Sequence, residues 1–213
     1  VNDVKTKNIF DLMAGGARIP FGSKREETAG YTLDALAAEA AACLRCRLRE
    51  TAGAIVFGEG NPEAELMFVG EGPGAEEDRL GRPFVGAAGQ LLDKILEAAE
   101  ISRGEVYITN VVKCRPPGNR LPVREEVEAC LPHLRQQIAL IRPRIIVCLG
   151  SLATQALVDP KAKITQVRGT WFERDGIHLM PTFHPAALLR DPSRKRPVWE
   201  DIKKVRDAYR KTG

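Results

Sequence analysis

The 213 residues are 44% apolar and 28% charged, with three histidines, five cysteines and a formal net charge of +4. A chain this long buries roughly 70% of its unfolded surface, enough for one core, or two small ones, without covalent staples. No run approaches the ~18 apolar residues of a membrane span; the first residues lack the charged-then-apolar layout of a secretory signal, and an odd cysteine count argues against a disulfide framework and for a thiol or metal role inside a cell.

Residues 1–30 mix polarities, contain Gly15, Gly16 and Gly22, and read as an arm with at most a short helix around Ile9–Met13. Thr32 starts an Ala/Leu-rich helix running from Leu33 to about Leu44. A looser stretch follows to Pro62. Leu66–Val69 is a short apolar run closed by glycines, as a buried strand should be. Gln90–Glu97 has helical spacing, with apolar residues at 91, 92, 95 and 96. Val106–Thr109, continuing into Val111 and Val112, is β-branched and strand-like. Arg124–Ile141 is predicted helical and stops before Pro143. Ile145–Leu149 is another buried strand, and Ser151 reads as the N-cap of the next helix. Residues 164–183 suggest two strands around an Asp175-Gly176 turn, and Val198–Lys211 a basic amphipathic helix. Strands alternating with helices imply an α/β fold: three layers, α/β/α, around a central, mostly parallel four-stranded sheet, with residues 31–213 as one domain.

Positive charge is unevenly spread. Arg190–Gly213 holds nine basic residues against four acidic ones, a local +5 that leaves the rest of the chain at −1. Lys113, Arg115, Arg120 and Arg124 form a second basic cluster with no acid between them. Such clusters are the footprint of a polyanion partner, although a solvated helix face gives the same pattern.

In open α/β sheets ligands bind beyond the carboxyl ends of the strands. Gly70-Glu71-Gly72-Pro73-Gly74 follows the first strand, Asn110 interrupts the second, Gly150-Ser151 follows the third and His184-Pro185 the fourth. Each alone has an ordinary explanation as a turn, a solvated carboxylate, a bulge or a helix cap; gathered on one edge they form a site. His133 and His178 read as surface or sheet residues. Phe84 stands among the small residues of Gly81–Gly89, and beside Asn110 and His184 it would offer a flat face. An amide that both donates and accepts, an aromatic ring and an imidazole together suit a nucleobase.

Cys43 and Cys46 form C-x-x-C, and Cys114 and Cys130 lie further along. Four thiolates so spaced hold one metal centre, either zinc or iron–sulfur. Cys148, inside a predicted strand, is packing.

Gly70–Asp78 together with Gly81–Gly89 closely resembles the first motif of the family 4 uracil-DNA glycosylases. Val106–Pro117 resembles their second signature and His184–Arg190 their catalytic loop. The resemblance runs from about Thr32 to the C-terminus. It implies an α/β/α enzyme that flips uracil out of DNA and hydrolyses its N-glycosidic bond, with a [4Fe–4S] cluster on Cys43, Cys46, Cys114 and Cys130. On matching positions, Phe84 stacks on uracil, Asn110 reads its Watson–Crick edge and His184 hydrogen-bonds O2. Glu71 and Gly72 lie by the sugar and the attacking water, with Pro73 and Gly74 beside them, and Glu77 shapes the pocket near C5. Leu188 enters the gap left by the flipped nucleotide, Ser151 touches a phosphate, and Arg190, Arg115 and Arg120 face the DNA backbone. The expected partner is uracil-containing DNA, met by a cytoplasmic, nucleoid-associated monomer with no membrane contact. The N-terminal arm is free to bind a replication or repair partner.

Two departures qualify the resemblance. Some relatives carry aspartate where this chain has Gly72, which leaves Glu71 and backbone groups to orient water. Residues 115–125 contain no histidine, so the covalent crosslinking of one related family is not expected. The competing readings are a non-catalytic iron–sulfur DNA-binding protein on the same fold and a nucleotide-binding enzyme. The second is weakened because Gly70–Gly74 lacks the Gly-Lys-Ser/Thr ending of a phosphate loop.

Overall fold

Residues 30–211 are described in a computed structural model; the arm proper and the helix expected at Ile9–Met13 lie outside them. The sheet grows from the apolar runs. Strands β1 (Glu59–Gly60), β2 (Leu66–Gly70), β3 (Tyr107–Asn110), β4 (Ile145–Leu149), β5 (Phe172–Arg174) and β6 (Ile177–Thr182) join in the order β1-β3-β2-β4-β6-β5. The four strands expected at the centre, β3-β2-β4-β6, are all parallel. The count of four is corrected to six, because β1 and β5 pair antiparallel along the two edges. At two and three residues, these edges are too short to show a two-residue period.

Every residue of β2 and β4 is buried, and alternate side chains serve opposite faces. Met67 and Val69 pack with Leu131, Leu134 and Ile138 of helix α5 (Arg124–Ile141). Leu66 and Phe68 pack with Leu92 and Leu96 of α4 (Ala87–Ala98) and with Val198, Ile202 and Val205 of α9 (Lys195–Arg210). These two cores give the three layers. Helix α1 (Leu33–Ala41) is capped by Thr32, whose hydroxyl accepts from Ala35 N at 3.1 Å, and is followed by a single turn, α2 (Leu48–Thr51). No helix among the described residues is long and apolar enough to cross a membrane.

Four local features differ from or add to the expectations. Residues 75–80 fold as a short helix, α3 (Ala75–Leu80), and Ile164–Val167 is a helical turn, α7, rather than strand. Val111 and Val112 leave β3, and their N–H groups donate to the carbonyls of Gly70 and Glu71 at 3.0 and 3.1 Å. Gly150, not Ser151, caps helix α6 (Ser151–Leu157): it takes φ +90°, and a Cβ there would stand 3.0 Å from His184 Cβ. Glycine is the residue that adopts this conformation without strain.

Candidate active site

The loops after β2 and β3, and the short helix α8 (Pro185–Arg190) after β6, enclose a cavity of about 600 Å³ at the carboxyl edge of the sheet. Glu71, Gly72, Pro73, Gly74, Glu77, Phe84, Asn110, His184, Arg120 and Arg190 all line it. Residues more than a hundred positions apart in sequence thus share one wall.

Phe84 and His184 stack with ring centroids 5.5 Å apart and planes inclined by 30°. Phe84 is 5% exposed and holds φ +52°, a region that costs a bulky residue energy and persists where the surroundings impose it. Gly89 helps impose it, since a Cβ there would lie 1.9 Å from the Phe84 carbonyl oxygen. Gly70 leaves room for two walls at once: a Cβ would meet Asn110 Oδ1 at 2.4 Å and Phe84 Cζ at 2.6 Å. Asn110 is 1% exposed, and its Oδ1 has no hydrogen-bond partner. A buried amide oxygen without a partner costs free energy unless a ligand satisfies it.

His184 caps α8, and its Nδ1 accepts from Ala186 N at 3.1 Å. Burial, reinforced by Arg190, lowers its basicity to about 4 against an ordinary 6.5. The ring is therefore neutral near pH 7, and with Nδ1 accepting, the proton sits on Nε2. Glu71 has its carboxyl pushed up by burial, with Arg190 opposing. Glu77 spends its carboxylate on backbone: Oε1 accepts from Val85 N and Gly86 N at 3.0 and 2.8 Å, and Oε2 from Gly74 N at 3.1 Å. It clamps the two glycine-rich loops together. Gly72 has no room for a side chain, since a Cβ would stand 2.6 Å from Val112 Cγ2.

Several expected contacts move. Leu188 is 2% exposed and packs in the core with Leu92 and Val198, whereas Leu189 is 49% exposed; helix periodicity turns the first inward and the second outward. Ser151 is exposed but does not line the cavity. Arg115 donates to Asn119 Oδ1 at 2.8 Å and also lies outside it. The basic cluster is largely neutralised: Arg120 pairs with Glu126, Arg124 with Glu128, and Lys113 is buried. In α9, Lys203, Arg206 and Arg210 pair with acids as well. Leu121, 69% exposed on the cavity rim, was not anticipated; an isolated leucine within Pro116–Val123 was the available signal.

A second, smaller cavity holds all four expected thiols. Cys43, Cys46, Cys114 and Cys130 line it together with Arg45, Arg49, Lys113 and His133. No disulfide forms, and among the described residues no group of three or more His, Cys, Asp and Glu side chains is disposed to hold a metal ion. Burial pushes the Cys114 thiol up to about 12 and Cys130 to about 11, with the neighbouring thiols pushing the same way. Without a cation these cysteines stay protonated thiols; four thiolates so close together would need a bound cation to offset their charge. His133, expected at the surface or on a sheet, is instead 1% exposed on α5, with neither ring nitrogen partnered; the α5 core face carries it inward. Cys148 is fully buried, as expected for packing.

The family described as the Uracil DNA glycosylase superfamily matches residues 57–203. The chain is 45% identical to a type-4 uracil-DNA glycosylase of Sulfurisphaera tokodaii over 185 residues, covering 83% of this chain and 84% of the relative. It is 49% identical to a type-4 uracil-DNA glycosylase of Thermotoga maritima over 177 residues, 80% of this chain and 91% of that one. Identity to a type-5 uracil-DNA glycosylase of Pyrobaculum aerophilum is 36% over 146 residues, 61% of this chain and 64% of the relative. With the family match running over residues 57–203 and the type-4 relatives matched over at least 80% of this chain and most of their own length, the chain belongs to the uracil DNA glycosylase superfamily and, within it, to the type-4 uracil-DNA glycosylases.

Proposed function

We propose that the protein excises uracil from DNA, hydrolysing the bond between C1′ and N1 and leaving an abasic site. The observation that carries this reading is the single cavity shared by Phe84, Asn110 and a neutral, Nε2-protonated His184. A pyrimidine fits against the Phe84 ring. The Asn110 amide donates to O4 and accepts from N3–H, which supplies the partner its oxygen lacks; cytosine reverses both polarities. Mispaired buried polar groups discriminate by about 10⁴–10⁵.

As the C1′–N1 bond breaks, its electron pair goes to the base and negative charge spreads over O2 and O4, while the sugar becomes cationic. His184 Nε2–H donates to O2, and a donor already in place when that charge appears lowers the barrier by about 3–4 kcal/mol. Water adds to C1′ and gives its proton to Glu71, whose raised basicity suits a base. Glu77 acts by holding the two loops, and so the shape of the pocket near C5. Leu189 and Leu121, rather than Leu188, are the apolar side chains presented to the gap in the DNA.

The cysteine cavity takes a [4Fe–4S] cluster on Cys43, Cys46, Cys114 and Cys130. Supporting this are the four convergent thiols, the basic side chains around them and the type-4 kinship. The cluster serves to tie α1 to the segment that carries Asn110. Incubating the protein with a uracil-containing oligonucleotide and then alkali tests the activity: strand cleavage at the uracil position is expected, and an intact strand would overturn the reading.

A further inference from the structure

From the wall of the thiol cavity a lysine, read from the sequence only as part of a basic cluster, reaches toward the base pocket. Lys113 is 2% exposed. Its Nζ donates to Asn110 O at 2.8 Å, to Thr109 Oγ1 at 2.6 Å and to Gln137 Oε1 at 2.6 Å. Gln137, wholly buried on α5, in turn donates through Nε2 to Phe57 O and to Tyr107 Oη. From the other side, Lys113 N donates to Cys130 Sγ at 3.2 Å, and Lys113 O accepts from Val56 N at 2.8 Å.

A lysine alone in a core costs several kcal/mol in lost hydration unless its hydrogen bonds are made good. All three ammonium donors are used here, and none goes to a carboxylate. The arrangement grips one particular carbonyl, that of the residue whose amide points into the base pocket. Asn110 is the last residue of β3; beyond it only the N–H groups of Val111 and Val112 continue the bonding to the β2 side.

We infer that Lys113 is a positioning residue for base selection, its ammonium fixing the backbone of Asn110 so that the Asn110 amide meets the uracil edge. The inference rests on the excision reading above and deepens it. Lys113 touches no substrate and acts only through Asn110. Because its own N–H holds a cysteine sulfur, the same residue joins the thiol cavity to the pocket along residues 110–114.

A double-mutant cycle separates this role from simple packing. Lys113→Met keeps length and apolar stem and removes the three donors. On a uracil oligonucleotide it should lower kcat by about 10- to 100-fold, the size expected when charge-assisted hydrogen bonds are lost, with KM changed less than about threefold. In an Asn110→Ala background the same substitution should change kcat by less than about twofold. Full multiplication of the two losses would overturn the assignment. Should Lys113→Met fail to fold, Thr109→Val removes one of the three acceptors, along with the Oγ1 donor to Phe57 O at 2.8 Å, and should give a smaller loss with the same dependence on Asn110. The Asn110 side-chain amide resonance in ¹⁵N-labelled protein needs no turnover. It should shift in Thr109→Val, and an unmoved resonance overturns the assignment whether or not wild type releases uracil. Wild type that releases none overturns the excision reading instead.

Discussion

His184 and Glu71 face one cavity with opposite electrostatic histories. The imidazole is held neutral down to about pH 4, so acid does not change its charge over most of the working range. Burial raises the Glu71 carboxyl above its ordinary 4.5, and only its ionised form takes a proton from water. Excision should therefore fall as pH drops through the raised Glu71 value. Glu71→Gln should lower kcat and flatten that acid limb, whereas a limb that persists would assign it elsewhere. Stability has its own pH window: between about 6.5 and 4 the unfolded chain protonates this histidine and the native one does not, so its contribution is complete above 6.5 and is lost on descending to 4. In His184→Ala, denaturant midpoints should fall less across that window than in wild type. Asn110→Asp should release cytosine at a low but measurable rate, because a protonated carboxyl offers donor and acceptor to the opposite edge. Leu188 and Leu189 separate packing from reach: Leu188→Ala should cost about 2–4 kcal/mol in unfolding, while Leu189→Ala should leave stability within about 0.5 kcal/mol and reduce excision from duplex more than from single-stranded substrate.

At the level of elements, the site depends on where strands stop and which glycines follow. Gly70 ends β2 between Asn110 and Phe84, so Gly70→Ala should fold with a modest loss of stability yet lower kcat/KM by at least about tenfold. Parallel losses in folding and turnover would contradict its role as a spacer. The strands that carry the pocket were legible because β2 and β3 are fully buried runs and β6 is buried except at His178, and so were Glu71, Asn110 and His184, whose polarity breaks or ends those runs. Of the edge strands, β5 was legible from the Asp175-Gly176 turn, whereas β1, two residues long, shows no period and was not legible. Nor was the inward turn of Leu188, because adjacent leucines in a short helix give no sequence signal about which one faces the core. The charge balance of the basic cluster was hidden for a related reason: Glu126 and Glu128 lie in α5, outside the stretch that looks purely positive, and pair with Arg120 and Arg124.

Across the whole molecule, the proposed cluster would knit the turn after α1, the segment after β3 and α5 into one body. Cys130→Ser should abolish broad absorbance near ~400 nm and lower Tm by about 5 °C or more, since a bound centre contributes to folding. Unchanged colour and Tm would remove the cluster from the account. The strand order has a consequence during synthesis. The cavity draws its walls from residues 71, 84, 110 and 184, and β6 pairs with β4 only after the chain has grown through Thr182. A nascent polypeptide carries the aromatic and amide walls long before the imidazole exists. A shortened product ending before His184 lacks one wall of the cavity and is expected to release no uracil.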